Sequence, residues 1–554
     1  MKQLGVLDTA FINLEHANTP QHVGGLGIYD PSTAPGGIVR FKGVIANFER
    51  RLQKHPMFRS RLVKVPGNVD RPYWMQDANF DVEFHIRHIA LPQPGDWRQL
   101  CILVARLHAR PLDMSRPLWE AYIIEGLDNI PGVPKGGFGI YTKVHHALVD
   151  GAGDSSIMSV IHDLEPDPAA VPQAEFVLTN EVLPNALYLM SSAALNNLKG
   201  TVKLLKDSAG IVRDLGKMAI GMAQNKIPVP AVSFPRTRFN SPVGPYRVFE
   251  ATEFPLADIK AIKDLGEVKF NDVVLAIISG GVRKYLKHHN ELPDASLAVS
   301  IPLNKHHRRV LNDEKAEQSA VVMDLHTNIG DPLQRLSKLC TSAQEAKVYG
   351  ENSPLVDVLG LAGVMSPAIM RPLVNAYVNR ELTQYLPSGI SSLASSVAGP
   401  TYPVYSAGAQ MLRYYGLGLL TPGVGLSHLI FSSNGIVTLS IVADRESLAD
   451  PAFYRECLEQ SFAELLAAVK SHATPEAVTP PPANRRARAA KAPSKTKPAS
   501  RGGLPTVKKP VAKKAKSAVS QRVEKPATLK AQTNKAATPP NSDSKVVPIN
   551  QSIN

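Results

Sequence analysis

The 554-residue chain is poor in the features that usually announce a site. It holds only three cysteines, Cys101, Cys340 and Cys457. They lie far apart and fit no metal-ligand spacing, which leaves free thiols in a reducing compartment as the expectation and no metal site. No run of about 18 uncharged apolar residues occurs, so no membrane-spanning helix is expected. The nearest approach, Val356 to Val378, is cut by Pro367, Arg371 and Pro372. The start, Met1-Lys2-Gln3-Leu4-Gly5-Val6-Leu7-Asp8, lacks the apolar core and small-residue cleavage site of a signal peptide. A cytoplasmic protein is therefore expected, and any contact with lipid would be peripheral. A Gly-x-Ser-x-Gly nucleophile elbow, a Walker-type loop and a dinucleotide fingerprint are also missing, which removes the main signatures of serine hydrolases, P-loop enzymes and Rossmann dehydrogenases.

What is present is ordinary for a globular enzyme. Hydrophobic residues make up 44% and charged residues 20%, enough for a sizeable core and two or three domains. The net charge of +14 is a property of the tail alone. From Thr474 onward there are 17 Lys and Arg against 3 Asp and Glu, so residues 1–473 hold 45 of each sign. The tail, 474–554, is built from Pro, Ala, Lys and Ser. It cannot offset its ordering entropy by burial and is expected to be disordered. Lys508-Lys509 and Lys513-Lys514-Ala515-Lys516 offer salt-sensitive attraction to polyanions, but the tail has no aromatic residue to stack on bases. Nucleic acid is therefore not the expected partner, and an anionic membrane or lipid inclusion suits the tail better.

Four segments emerge along the chain. Residues 1–183 alternate strand-like and helix-like patterns, with Phe138 to Val144 reading as a strand and a helix expected from near Asp150–Asp154 through Ile157, Val160 and Ile161. Pro166, Pro168 and Pro172 mark a break. Residues 184–240 read as a helical crossover, Asn185 to Gln224, closed by Pro228 and Pro230. Residues 241–473 form a second domain: a strand at Tyr246–Phe254, helices at Leu256–Leu265 and Asn271–Lys287, strands at Leu297–Ile301, Val321–Leu325 and Ile436–Val442, and a closing helix at Asp450–Lys470. The fold class is mixed α/β.

The informative feature is His145-His146-Ala147-Leu148-Val149-Asp150-Gly151. A strand ending at the pair presents an imidazole, whose pKa near 7 suits it to take a proton from an alcohol and return it to a leaving group. Asp150 can hold the turn and help orient the ring, and Gly151 permits a tight turn. From composition the pattern should arise by chance in only about one such chain in a thousand. A lone histidine such as His162 or His326 reads instead as a buried, hydrogen-bonded core residue. Two adjacent strand histidines face opposite ways, which argues against a shared metal ion.

With these residues in view, the chain resembles the bacterial wax ester synthase/diacylglycerol acyltransferase family. The resemblance covers nearly all of residues 1–473. It rests on Leu7-Asp8, His22-Val23-Gly24-Gly25-Leu26, Arg116-Pro117-Leu118-Trp119-Glu120, the histidine motif, Asn271-Asp272-Val273-Val274-Leu275, Ile301-Pro302-Leu303-Asn304 and Val442-Ala443-Asp444-Arg445. The motif alone is shared with peptide-synthetase condensation domains. One departure is Ser395-Ser396-Val397-Ala398-Gly399-Pro400, where the family often has Ser-Asn-Val-Pro-Gly-Pro in a segment of the substrate channel.

The resemblance implies a two-domain fold like chloramphenicol acetyltransferase, with the site in a channel between the halves. It implies transfer of a fatty acyl group from acyl-CoA to a long-chain alcohol or diacylglycerol, without an acyl-enzyme and with no cofactor beyond acyl-CoA as substrate. His146 becomes the general base, because His146-x-x-x-Asp150-Gly151 is the core shared across CoA-dependent acyltransferases. His145 either supports the base or packs on the opposite face. Asn271 and Asp272 either cap a helix or shape the channel and stabilise the oxyanion. Trp119 is read as core rather than substrate contact. Two other readings stay open: a condensation enzyme using carrier-bound acyl groups, and a non-catalytic lipid-inclusion or polyanion-binding protein acting through its tail.

Overall fold

The β-branched and aromatic runs pair into two six-stranded mixed sheets and a small three-stranded one in the computed structural model of the chain. The described residues are 1–151, 157–167, 184–197, 234–305, 317–352, 365–385 and 389–473. Pro168, Pro172, Pro228, Pro230, the later part of the expected Asn185–Gln224 helix and the 474–554 tail lie outside them.

In chain order the strands are β1 (Lys2–Gln3), β2 (His22–Asp30), β3 (Ser60–Val63), β4 (Tyr73–Gln76), β5 (Ile86–Ala90), β6 (Trp119–Glu125), β7 (Phe138–His145), β8 (Arg247–Pro255), β9 (Ala298–Lys305), β10 (Glu317–Asp324), β11 (Ser392–Ala398), β12 (Tyr405–Ser406), β13 (Ala409–Leu417), β14 (Leu426–Ser433) and β15 (Ile436–Asp444). The first large sheet has the order β12-β13-β2-β7-β6-β5, and the second β10-β9-β11-β14-β15-β8. The small sheet runs β1-β4-β3. β13 belongs to the second half of the chain yet pairs antiparallel with β2, placing Tyr415 opposite Leu26 and Leu417 opposite Gly24. This approach needs a bare backbone: a Cβ on Gly25 would lie 1.7 Å from the Tyr414 hydroxyl. The His22-Val23-Gly24-Gly25-Leu26 block is thus a seam where the two halves of the chain interleave.

The helices that matter for the site are α1 (Val6–Leu14), α2 (Phe41–Leu52), α3 (Val82–His85), α4 (Trp97–Ala109), α5 (His146–Gly151), α6 (Ile157–Ile161), α7 (Leu256–Leu265), α8 (Phe270–His288), α9 (Pro332–Asn352), α10 (Pro367–Asn379) and α11 (Pro451–Ala473). Asp96 caps α4 by accepting the Gln99 N–H at 2.8 Å, while the Gln99 carboxamide reaches back to Asp96. The apolar face of α4, Leu100, Val104 and Leu107, shares one core with Leu26 and Ile28 of β2, Phe249 and Ala251 of β8 and Val442 of β15. One helix therefore glues both sheets together. The indole N–H of Trp97 adds a bond to Glu250 Oε1 at 2.5 Å. A separate core packs α8 and α11 on the second sheet, through Val274, Ile278, Leu458 and Leu465 against Leu439 and Ile441.

Candidate active site

β7 stops at His145 for an identifiable reason. His22 of β2 is its last ladder partner. One residue on, the Gln21 carbonyl takes the His146 N–H at 2.8 Å, and Nδ1 of His145 takes the Ala147 N–H at 3.1 Å. His145 therefore occupies the N-cap position of α5 and supplies the side-chain acceptor that a cap requires. α5 begins at His146, a start the sequence does not mark, and the helix expected through Ile157, Val160 and Ile161 is α6, whose approach at 152–156 lies outside the described residues. Histidine is an unusual cap, so nothing in the local pattern marked this start. Asp150 and Gly151 fall at the end of α5, with Asp150 one turn along from His146; their surroundings lie outside the described residues.

The two histidines have different environments. His145 is fully buried, whereas His146 is partly exposed. The His146 ring lies flat on Phe11 of α1, with centroids 4.0 Å apart and planes at 19°. Nε2 of His145 faces the carboxylate of Glu15 at 3.4 Å. Glu15 directly follows α1 and lies four residues after Phe11, so one face at the end of that helix meets both imidazoles. The same Glu15 Oε2 accepts the Gln21 N–H at 2.5 Å.

A buried polar layer adjoins the pair. His22 Nε2 donates to the His108 carbonyl at 2.7 Å. His108 Nε2 donates to the Gly418 carbonyl at 3.0 Å, and the Tyr141 hydroxyl donates to its Nδ1 at 2.8 Å. Burial holds both rings neutral: His22 lies well below the usual imidazole value, and His108 is pushed down to about 3. The Lys143 ammonium, fully buried, donates to the carbonyls of Leu107 and Arg110 at 3.2 and 2.8 Å and faces Glu120 at 3.4 Å. Burial lowers its pKa, and Glu120 opposes that shift. A cation here satisfies the carbonyls at the C-terminal end of α4. Of His22, His108, His145 and His146, only His146 is partly exposed.

The remaining sequence candidates separate. Trp119 is fully buried in β6 and donates its indole N–H to the Phe58 carbonyl at 2.7 Å. Asn271 and Asp272 lie at the start of α8, in the other half of the chain. Asn271 is exposed. Asp272 is buried and accepts the Lys269 N–H at 3.0 Å, the back-reaching half of a capping box. On β11, an interior strand, Ser396, Val397 and Ala398 of the departing Ser395–Pro400 segment are exposed. His162 is buried, donates from Nδ1 to the Met158 carbonyl at 2.7 Å and accepts from the Tyr29 hydroxyl at 2.8 Å. Among the described residues, no three His, Cys, Asp or Glu side chains are grouped to hold a metal ion. Phe11 and Glu15 are absent from the sequence reading. Their available signal is the four-residue spacing between them, in the stretch that joins Leu7-Asp8 to His22.

Comparison with known proteins agrees with this geometry. The catalytic-domain profile of the wax ester synthase/diacylglycerol acyltransferase family matches residues 4–274, and the profile of its C-terminal domain matches 317–466. A Mycobacterium tuberculosis H37Rv protein named as a diacylglycerol O-acyltransferase is 29% identical over 475 residues, covering 83% of this chain and 98% of that protein. Another protein so named, from M. tuberculosis CDC 1551, is 30% identical over 474 residues and covers 84% of this chain and 90% of its own length. The solved wax ester synthase/diacylglycerol acyltransferase of Marinobacter aquaeolei VT8 superposes with a TM-score of 0.58 at 25% identity, covering 85% of this chain and all of that one. The mixed α/β architecture expected from the sequence is the one found. With both family segments, full-length relatives and the matching fold in agreement, this chain is an acyltransferase belonging to the wax ester synthase/diacylglycerol acyltransferase family.

Proposed function

We propose that the chain moves a fatty acyl group from acyl-CoA to the hydroxyl of a long-chain alcohol or a diacylglycerol, with His146 as general base. The observation that carries this reading is the placement of the partly exposed His146 ring on Phe11, at a helix start fixed by the Gln21 carbonyl and the His145 cap. His146 accepts the hydroxyl proton while the oxygen attacks the thioester carbonyl. The tetrahedral oxyanion collapses, the carbon–sulfur bond breaks, and the imidazolium returns its proton to the departing CoA sulfur. Base assistance of this kind is worth about 10²–10⁴ in rate, and positioning supplies much of the rest. Written this way the reaction uses no cofactor and forms no acyl-enzyme. Asp150 steadies the α5 turn and Gly151 ends it.

A panel crossing acyl-CoA chain lengths with hexadecanol and dioleoylglycerol, read by release of free CoA thiol, tests the reading. Turnover with free acyl-CoA is the expected outcome. Turnover that appears only when the acyl group is carried on a carrier protein would transfer the chain to the condensation-type reading.

Both products are water-insoluble, which calls for contact with lipid at the cytoplasmic face of a membrane or at an inclusion. Among the described residues no helix is long and apolar enough to cross a membrane. Residues 186–197 are helical. Leu189 and Ala193 pack against Val63, Val65 and Met75, while Leu187, Tyr188, Met190 and Leu195 stay exposed. An apolar face of this kind, on a helix anchored by its other side, is suited to lie in a lipid surface. Leu187→Glu combined with Leu195→Glu is expected to cut co-sedimentation with anionic phospholipid vesicles containing dioleoylglycerol by at least several-fold. Undiminished sedimentation would remove this helix as the contact.

A further inference from the structure

We propose that Glu15 is the positioning residue of the histidine motif: its carboxylate holds His145 as the Nε2–H tautomer, and His145 in turn fixes the first turn of α5. This role rests on His146 being the base, and it adds a residue some 130 positions away in sequence to the machinery that presents it.

The argument starts from the two nitrogens of His145. Nδ1 accepts the Ala147 N–H at 3.1 Å, so it needs its lone pair, and the proton of the neutral ring must sit on Nε2. That N–H is buried, since the His145 side chain is 1% exposed. A buried donor is costly unless an acceptor faces it. The acceptor beside it is Glu15 Oε2, at an ion-pair distance of 3.4 Å rather than in a formed hydrogen bond, on a side chain itself only 9% exposed. A carboxylate can only accept, which selects the Nε2–H form. The opposite tautomer would set Nδ1–H against Ala147 N–H, donor against donor, and the cap of α5 would be lost.

Glu15 reaches the same turn by a second route. Its Oε2 accepts the Gln21 N–H, and the carbonyl of Gln21 accepts the N–H of His146. One carboxylate thereby ties down the backbone nitrogen of the base and the cap of the helix that begins there. Phe11, one turn earlier, supplies the surface on which the His146 ring lies. The end of α1 is itself anchored, because the Asn13 carboxamide donates to the Met365 carbonyl at 3.1 Å. Reaction rates fall steeply when a base is displaced by even about 1 Å, so a loosened first turn lowers turnover.

The experiment uses the full-length protein and three variants: Glu15→Gln, His145→Asn and the double variant. Glu15→Gln removes the charge but retains a carbonyl oxygen to accept the Gln21 N–H. It is expected to lower kcat about 10- to 100-fold, with KM for hexadecanoyl-CoA within about twofold. If Glu15 acts through His145, the double variant turns over no more slowly than His145→Asn alone. In the wild type, 15N-histidine NMR is expected to show His145 protonated at Nε2, with the signal assigned by its loss in His145→Asn. A Glu15→Gln enzyme with wild-type kcat, beside an inactive His146→Ala enzyme, would overturn the proposal. So would losses that simply multiply in the double variant, or a wild-type His145 protonated at Nδ1. The NMR result decides the matter even where Glu15→Gln does not fold. An active His146→Ala protein would instead overturn the base assignment beneath it.

Discussion

Replacing His146 by alanine is expected to lower release of CoA from hexadecanoyl-CoA and hexadecanol by about 10²–10⁴, the range over which a positioned base contributes. The fold should survive, because the ring is only partly buried and the stack on Phe11 is an interaction worth about 0.5–1.5 kcal/mol. Circular dichroism and soluble yield should therefore stay near wild type while turnover collapses. His145→Ala is the informative contrast. It empties a fully buried position and removes the acceptor of the Ala147 N–H, so it should lose yield and activity together. Wild-type turnover in His146→Ala would end the base assignment. An activity loss that tracks unfolding in both variants would reduce the pair to a structural role.

Much of this frame was legible because it is local. The strand read at Phe138–Val144 is β7, Phe138–His145, and the helix read at Asn271–Lys287 is α8, Phe270–His288. Both carry the residue types and period of their element over a long enough stretch to outweigh the flanks. The motif likewise named the right strand end. What could not be read is pairing across distance. β13 joins the first sheet although it lies beyond residue 400, and no local pattern states which strand a buried run will meet. The Glu15 contact to His145 has the same character. A carboxylate in a short polar stretch after a helix looks like any solvated acid until the fold brings the imidazole to it. The helix start at His146 was hidden for a different reason, since capping statistics favour Ser, Thr, Asp and Asn, and here the cap is an imidazole.

The largest stability effect belongs to Trp119, which the sequence already marks as core. It is fully buried, its ring stacks on His85 with centroids 4.7 Å apart, and its indole N–H donates to the Phe58 carbonyl at 2.7 Å. Its own carbonyl accepts the His85 Nδ1–H at 2.8 Å. Trp119→Ala should therefore cost about 3–5 kcal/mol, the usual range for emptying a buried aromatic site. Trp119→Phe keeps most of the apolar volume but leaves the Phe58 carbonyl without its donor, a loss of about 1–3 kcal/mol. Urea unfolding of the two variants should rank them in that order. The chemistry should follow stability rather than substrate, because Trp119 stands opposite Val144, one residue before His145, and so braces the strand that ends at the motif. In the folded fraction, KM for acyl-CoA and for alcohol should stay within about twofold of wild type. A Trp119→Ala protein of wild-type stability with a raised KM for the alcohol would move this side chain from the core to the channel.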